Sequence, residues 1–592
     1  MSTATTTATS VGARLQQRCA HFGDSPAFRY PDPGLDGAWQ SLTWTELAAR
    51  VTELTAGLLA LGVTPGQRLA IAATTRIEWV LADLAIMSAG AVTVTVYPNT
   101  NADDVAHILD DSGAVLVFAE NAAQVAKLRT PDGGWIAGVR DVITFDPAGD
   151  PSVRSLREIM TLGVEVLDHD PGRVHRVLET ITPDQLATIV YTSGTTGRPK
   201  GVELTHANWL YLGAATAAED FMRRDHLHFL WLPLSHVFGK LLLANQYEVG
   251  YVTAIDGRID RIIDNLAAIR PTAMAAAPRI FEKIYARVTA TATAGGGLSA
   301  ALFRWAIRVG ATRQDPSRPW WQRLQLAAAD ALVFTKVRDR LGGRLELLIS
   351  GSAPLAPQIS SWFAAAGLPI IEGYGLTEAT GVSFFNRPGR LRIGTVGQAL
   401  TGTEVRIADD GEILLRGPSI MRGYRHLPDQ TADIIDADGW LATGDIGELD
   451  ADGYLRITDR KKDLVKTSGG KYIAPSAIES AVKAACPLVS AAIMIAAGRN
   501  FASLLVTIDP DTSRDMSADQ VRATVAAAVA EVNARLNPWE TIKQFRILPR
   551  ELSVEAGEVT PSLKVKRAAV NRNYADLIDA IYRGEQAGPP PA

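Results

Sequence analysis

The sequence predicts an α/β fold: a large N-terminal region of doubly wound sheets, a β-rich stretch, and a small α/β unit at the C-terminal end. Three observations carry this. Strand and helix signals alternate through residues 11–150, the rhythm of strand–helix–strand units with parallel strands. Residues 391–459 change to short alternating strands broken by Gly-Asp turns. A charge run, Asp459-Arg460-Lys461-Lys462-Asp463, then reads as a solvated linker and leaves 464–592 as a last unit, long enough for a small domain. A chain of 592 residues is too long for one core in any case.

The elements follow in order. Met1–Ser10 is rich in Ser, Thr and Ala, with neither a basic start nor an apolar centre, so residues 1–10 are expected to be disordered and not a signal peptide. Thr43 and Glu46 form a capping-box pattern ahead of Leu47, Val51, Leu54 and Leu58, with Gly62 as the stop. Leu69–Ala72, Ala91–Tyr97 and Ala114–Ala119 read as strands, with helices near 76–88 and 102–111 between them. Leu186–Tyr191 and Phe229–Leu234 read as buried strands, the second bringing His236 to a strand end, where ligand clefts form. Residues 286–345 are Ala-rich and helical, broken at Gly295-Gly296-Gly297. Arg344–Ser350 is a further strand. In the β-rich stretch, Glu404–Ala408, Glu412–Leu415, Glu448–Asp450 and Tyr454–Thr458 read as strands, and Asp445 falls in a tight turn.

Composition narrows the function. Apolar residues make up 47% and charged residues 21%, with a net charge of −5; this is an ordinary globular balance with no nucleic-acid footprint. The two cysteines, Cys19 and Cys486, support neither a disulfide framework nor a Cys-rich zinc site, and a reducing cytoplasm is the simple reading. No run of 18 apolar residues is present, so no transmembrane segment is expected. The lack of such a segment still allows peripheral membrane contact, although no basic amphipathic helix stands out to support it.

The chemistry concentrates in Tyr191-Thr192-Ser193-Gly194-Thr195-Thr196-Gly197-Arg198-Pro199-Lys200-Gly201-Val202. Small residues let backbone N–H groups turn toward an anion, hydroxyls add donors, and Arg198 and Lys200 add positive charge. The spacing is not that of a Walker loop, which needs G-x-x-x-x-G-K-[ST]. Farther on, Ile370-Ile371-Glu372-Gly373-Tyr374-Gly375-Leu376-Thr377-Glu378 misses the dinucleotide pattern because an acid stands where the last glycine belongs. Such an acid suits a phosphate only when a metal bridges them. No G-x-S-x-G elbow occurs, so a hydrolase nucleophile has no anchor.

The loop 191–202 closely resembles the phosphate-loop signature of the adenylate-forming enzymes, and matching motifs run in order from about residue 40 to 570. The stretch Thr467-Ser468-Gly469-Gly470-Lys471-Tyr472-Ile473-Ala474-Pro475 and the helical segment 286–345 resemble the long-chain fatty acyl-CoA synthetase branch. The resemblance implies ATP, Mg²⁺ and CoA as cofactor and co-substrates, and a fatty acid as substrate. It implies that Thr192, Ser193, Gly194, Thr195, Thr196, Gly197 and Lys200 hold the β- and γ-phosphates. Thr192 and Glu378 would contact Mg²⁺, and Thr377 the α-phosphate. Tyr374 would stack on adenine, with Gly351, Ser352, Glu372 and Gly373 completing that pocket. Asp445 would accept the ribose hydroxyls, backed by Arg460. His236 would sit beside the acyl carboxylate, with Ser235 and Phe238 at the mouth of an acyl tunnel.

Lys564, in Pro561-Ser562-Leu563-Lys564-Val565-Lys566-Arg567, matches the catalytic lysine of adenylation; Lys566 is the alternative register. The resemblance further implies residues 11–459 as the AMP-binding domain, a hinge at 460–463, and 464–592 as a mobile C-terminal domain. Rotation near Lys462 would withdraw Lys564 and bring in the loop with Lys466, Gly469, Gly470 and Lys471 for thioester formation. Rival readings are a ligase that passes its acyl group to a carrier protein, a luciferase-like monooxygenase, and a non-catalytic acyl-binding relative. No carrier domain is fused on, since Leu341-Gly342-Gly343 lacks a following serine.

Overall fold

In the computed structural model, which describes residues 8–584 apart from 36, 137, 193–197, 295, 316, 467–471 and 515, two large sheets are joined by helices with almost no wet face. In the helix Ile77–Ser88 every residue but Glu78 is buried. The helix Val237–Val249 buries both its apolar side chains and Lys240, Asn245 and Gln246. A helix that is apolar all round must lie inside. One continuous core takes Leu69, Ile71 and Phe118 from one sheet and Phe28 and Phe229 from the other.

Among the described residues the first sheet has eight strands. Its parallel centre runs Leu186–Thr192, Val92–Val96, Arg68–Ala72, Ala114–Ala119, Asp141–Thr144. The second has nine strands, with a parallel run Ile370–Tyr374, Leu347–Ser350, Ala273–Ala276, Leu227–Leu230, Val252–Ile255, Pro26–Pro31. Thr75, just past the strand Arg68–Ala72, ties the two together. Its hydroxyl donates to the Leu232 carbonyl at 2.7 Å, and the Leu234 amide donates to that hydroxyl at 3.1 Å. The C-terminal ends of both sheets thus meet at one crevice, where α/β folds place their ligands.

The β-rich stretch is a four-stranded antiparallel sheet, Glu404–Ile407, Glu412–Arg416, Leu441–Leu449 and Leu455–Arg460. Beyond it, Val489–Ile495, Ala502–Ile508 and Ile542–Ile547 form a three-stranded sheet. The helices Pro475–Ala485 and Ala518–Asn533 cover it over a core of its own.

The capping box at Thr43 forms with both of its hydrogen bonds. Four expectations differ from the structure. Ser10 is fully buried, and its hydroxyl caps the helix Val11–Phe22 by accepting from the Ala13 amide at 3.1 Å; order therefore begins inside the stretch 1–10, of which 1–7 lie outside the described residues. The strand expected at Phe229–Leu234 ends at Leu230, because the chain turns through Pro233, where the His236 amide donates to the Pro233 carbonyl. His236 is consequently the N-cap of the helix Val237–Val249 and not a strand terminus. Asp445 lies within the strand Leu441–Leu449, cross-strand from Arg460, and not in a tight turn. A register shift between Ile446 and Gly447 lets a turn-like sequence remain in the ladder.

The inter-sheet helices carry one fully buried ion pair. The Lys240 ammonium donates to both Asp83 carboxylate oxygens, at 2.7 and 2.6 Å, and lies 5.4 and 5.1 Å from the ring centres of Trp79 and Trp209. Removing one partner from such a pair strands a charge in the core, which costs about 3–5 kcal/mol. Lys240→Met is therefore expected to destabilise the large region by that amount in denaturant titration. Lys240→Met combined with Asp83→Leu should recover most of the loss. A single-variant cost below about 1 kcal/mol would show that the pair does not join the helices.

Candidate active site

The crevice opens into a continuous cleft of about 3080 Å³, well beyond the roughly 300–1,000 Å³ of a single small-ligand pocket. It is lined from both sheets, from the four-stranded sheet and from the C-terminal unit. Apolar side chains on its walls include Phe221, Trp231, Leu241, Leu242, Ile284 and Phe385.

Thr192 ends the strand Leu186–Thr192 and is the register partner of Lys200. The residues Ser193, Gly194, Thr195, Thr196 and Gly197 between them lie outside the described residues. The Lys200 ammonium stands 5.0 Å from the centre of the Tyr424 ring. The Tyr424 hydroxyl in turn donates to Glu378 Oε1 at 2.6 Å. Tyr424 thus spans the loop's cation and the acid of the Thr377–Ala379 turn. Sequence reasoning missed it, since only its antiparallel pairing with Val202 brings it here.

Thr377 and Glu378 follow the strand Ile370–Tyr374 in a single 3₁₀ turn. The chain reaches that turn through Gly375, where a Cβ would stand 1.5 Å from the Gly381 carbonyl oxygen; no side chain fits there. Gly373 lies in the strand before it. Glu372 points its carboxylate at the Ser360 hydroxyl, 2.9 Å away, and burial raises its pKa to about 7. Gly351 and Ser352 follow the strand Leu347–Ser350. The Phe238 ring packs on Gly351, 3.3 Å from where a Cβ would stand, and Ser352 takes a left-handed φ of +71°.

The Tyr374 hydroxyl donates to Asp445 Oδ2 at 2.7 Å, and Arg460 Nε stands 3.4 Å from Asp445 Oδ1. Burial holds the Asp445 carboxyl above its ordinary range, against the opposing charge of Arg460. His236 Nδ1 accepts the Phe238 amide at 3.1 Å, which assigns the ring proton to Nε2. Burial, and then the charge of Lys564, lower its pKa to about 3. The ring is therefore a neutral donor at physiological pH. Ser235 was expected at the tunnel mouth. It is fully buried with its hydroxyl lacking a partner among the described residues, because the turn ahead of the helix points it away from the cleft. Phe238 does line the cleft.

Lys564 enters from the C-terminal unit. Val559 and Val565 bridge, the Thr560 amide donates to the Lys564 carbonyl, and the Lys564 amide donates to Thr560 Oγ1. Leu563 takes a left-handed φ of +62° to close this turn. Asn99 of the large region donates to the Pro561 carbonyl at 3.0 Å. The Lys564 side chain borders the open cleft, within electrostatic reach of Arg460, Glu378 and Asp445. Desolvation, and then Arg460, lower its pKa to about 8, with the two acids opposing. Lys566 instead precedes the helix Arg567–Asn573.

Lys462 and Lys466, the remaining described residues of the resemblance, also line the cleft. Lys462 is exposed on the turn after Arg460. Lys466 places its ammonium over Tyr472, 5.4 Å from the ring centre. Gly469, Gly470 and Lys471 lie outside the described residues.

The Thr192 hydroxyl and the Glu378 carboxylate both offer oxygen to the cleft. This set fits Mg²⁺, which takes few protein ligands and keeps its phosphates and waters. Among the described residues no cluster of three His, Cys, Asp or Glu could hold a metal without such help.

Comparison with known proteins gives the family. The AMP-binding enzyme family matches residues 15–425, and its C-terminal domain matches residues 462–586. The chain belongs to the AMP-binding enzyme family. It is 35% identical over 588 residues to the long-chain-fatty-acid–CoA ligase FadD15 of Mycobacterium bovis, covering 95% of this chain and 96% of that one. It is 29% identical over 608 residues to the long-chain-fatty-acid–CoA ligase ACSBG1 of Bos taurus, covering 93% and 82%. Among solved structures, the adenylation domain of a carboxylate reductase from Mycobacterium chelonae superposes with a TM-score of 0.75 at 21% identity, covering 97% and 91%. The anthranilate CoA ligase AuaEII bound to anthranoyl-AMP gives 0.73 at 20%, covering 96% and 98%. At these identities the structural matches establish the fold.

The docked position of the C-terminal unit rests on charge as well as on the Asn99 contact. The helix Pro278–Ala294 presents Arg279 to Glu551 at 3.1 Å, Glu282 to Lys483 at 2.8 Å and Lys283 to Asp509 at 3.6 Å. Partly exposed pairs contribute about 0.2–1 kcal/mol each. Reversing Arg279, Glu282 and Lys283 together is therefore expected to lower chemical crosslinking between cysteines placed at Asn99 and Pro561 on the order of tenfold. Unchanged crosslinking would remove these pairs as the holding contacts.

Proposed function

We propose that this chain is an ATP-dependent long-chain fatty-acid–CoA ligase. The reading rests above all on Lys564, a cation from the C-terminal unit set among Glu378, Asp445, Arg460 and His236 in the cleft of the large region. The relatives' activities and the apolar side chains on the cleft walls support the acyl substrate.

In the first step a carboxylate oxygen attacks the α-phosphorus of ATP. An O–P bond forms, the bond to the bridging α–β oxygen breaks, and pyrophosphate leaves. Two anions must approach each other, so catalysis here is charge neutralisation and alignment. Lys564 would neutralise the α-phosphate and the attacking carboxylate together. The Nε2–H of His236, locked as donor by the Phe238 amide, would hold the carboxylate. Thr377 would contact the α-phosphate. Thr192 and Glu378 would hold Mg²⁺, which supplies further positive charge to the phosphates, while Lys200 and the loop 193–197 would cradle the β- and γ-phosphates. Tyr374 would flank the base, beside Gly351, Ser352, Glu372 and Gly373, and Asp445 with Arg460 would receive the ribose.

In the second step the CoA thiol attacks the acyl carbon of the adenylate. A C–S bond forms, the C–O bond to AMP breaks, and the thiol proton is lost. Residues 11–459 would stay in place while 464–592 turn about 460–463 near Lys462. The loop that carries Lys466, Gly469, Gly470 and Lys471 would then serve the thiol's attack, a hinge movement that serves two reactions with one site.

Lys564→Ala is expected to lower fatty-acid-dependent pyrophosphate release by about 10²–10³, while thioester formation from supplied acyl-adenylate continues. Loss of both halves in a folded variant would contradict the two-conformation scheme. The lowered Lys564 pKa sets a sign as well. The ammonium is present below pH 8 and fades as pH rises through about 8, so kcat/KM for adenylation should fall on that alkaline limb. The limb should be missing in Lys564→Ala. Products decide the acceptor: acyl-CoA, AMP and pyrophosphate formed together only with CoA establish the ligase, whereas adenylate accumulating with CoA present points to a carrier-protein acceptor.

A further inference from the structure

Segment 418–425 passes between the hairpin that carries Lys200 and the turn that carries Glu378, and it is bonded to both. On the hairpin side the Arg422 amide donates to the Glu203 carbonyl at 3.0 Å, and the Arg425 amide to the Gly201 carbonyl at 2.8 Å. On the turn side the Met421 amide donates to the Glu378 carbonyl at 2.9 Å. The Thr380 hydroxyl donates to the Ser419 carbonyl next to it. From a third direction Asn208, on the helix His206–Ala218, donates through Nδ2 to the Pro418 and Ile420 carbonyls at 2.8 and 3.0 Å. Backbone groups buried in this way are paired as a rule, but here their partners belong to three separate elements. The segment is a crosspiece whose position sets the distance between hairpin and turn.

Tyr424 is the side chain that uses this frame. Its amide donates to Thr431 Oγ1 at 2.9 Å, which fixes the backbone under the ring. Its hydroxyl donates to Glu378 Oε1, and the Lys200 ammonium lies over its ring. Glu378 and Lys200 form no ion pair among the described residues, and the phenol is the one hydrogen-bond partner of the Glu378 carboxylate there. Asp445 differs, since it has Arg460 beside its own tyrosine hydroxyl. A carboxylate accepts at both oxygens, so the phenol occupies Oε1 and leaves Oε2 to another partner. An acid and an ammonium on neighbouring elements attract each other. Here one meets the hydroxyl and the other the ring, whose face attracts a cation.

We infer that Tyr424 is a positioning residue for the metal-bound triphosphate. Its hydroxyl holds the Glu378 carboxylate in the orientation that offers Oε2 to the divalent cation. Its ring keeps Lys200 from collapsing onto that acid. The phosphates then meet a free cation and a free metal ligand at a separation set by one rigid side chain on a fixed crosspiece. A group that holds a metal ligand in place acts on the metal without touching it. The two halves of the ring can be tested apart: phenylalanine removes the hydroxyl and keeps the face, and leucine removes both. The inference rests on the reading of Glu378 as a Mg²⁺ contact.

The test is calorimetric binding of ATP to the full chain, without fatty acid, in Mg²⁺ and in EDTA. The wild type is expected to bind more tightly with Mg²⁺. Tyr424→Phe should weaken binding in Mg²⁺ about tenfold or more, the loss expected for a hydrogen bond to a charged group, and leave binding in EDTA unchanged. Tyr424→Leu should weaken both, since Lys200 loses its support as well. In a Glu378→Ala background the change from Tyr424 to Phe should alter neither. In turnover, Tyr424→Phe should raise the Mg²⁺ concentration for half-maximal pyrophosphate release and leave the KM for fatty acid in place, a split that general loosening of the cleft would not give. A wild type that binds ATP equally with and without Mg²⁺ would overturn the metal reading and this inference with it. Metal-dependent binding that Tyr424→Phe leaves intact would overturn the inference alone. A lowered unfolding midpoint with that binding intact would make the hydroxyl a structural contact and overturn it equally.

Discussion

The large region depends on helices that have almost no wet face. Ile77–Ser88 and Val237–Val249 are covered on almost every side, so the sheets cannot slide past one another without exposing them. Lys240 and Asp83 add a directional constraint inside an otherwise apolar layer. An apolar interface tolerates small rotations, whereas a bidentate ion pair fixes one mutual position of the two helices. That position matters four residues earlier, where His236 caps the helix at the edge of the cleft. The placement of the imidazole is thus a consequence of packing well away from it.

The cleft is organised around charge that no single unit supplies. The large region brings acids, Glu378 and Asp445, to the place where anionic substrates would have to meet. Both acids are engaged: Glu378 by the Tyr424 hydroxyl, Asp445 by the Tyr374 hydroxyl and Arg460. Positive charge comes from Lys200, at the end of the hairpin that pairs it with Thr192, and, across a unit boundary, from Lys564. A lysine among desolvating walls is less firmly charged than one in water. It is held in the cleft by its own tight turn and by the pairs on the helix Pro278–Ala294. The strength of the electrostatics and the position of the C-terminal unit are therefore one variable.

Much of this was legible in the sequence because it is local. The capping box at Thr43, the strand Ala114–Ala119 and the helix 102–112 follow from spacing and turn chemistry over a dozen residues. The long motif at 191–202 and the flank of Lys564 carried the family. What sequence reading misplaced had a local signal that tertiary context overrode. Asp445 has turn-like neighbours yet stays in a strand, since Ile413 and Leu415 beside it anchor that sheet's core. His236 follows an apolar run that could have continued as strand, but Pro233 and the cap it makes end the run early. Tyr424 gave no signal, because its role exists only through contacts with residues 46 and 224 positions away.

The Tyr374–Asp445 hydrogen bond bears on how a nucleotide would leave. The carboxylate that would receive a ribose already holds a phenol hydroxyl. An arriving sugar would share or trade a carboxylate that already has one hydroxyl partner, so the contact adds less to the depth of the bound state than filling a wholly unpaired acceptor would. It also means that a departing AMP leaves no stranded acid behind, because the tyrosine is at hand to take up the vacated oxygen. A site arranged in this way can recognise its nucleotide at entry without holding on to it at exit.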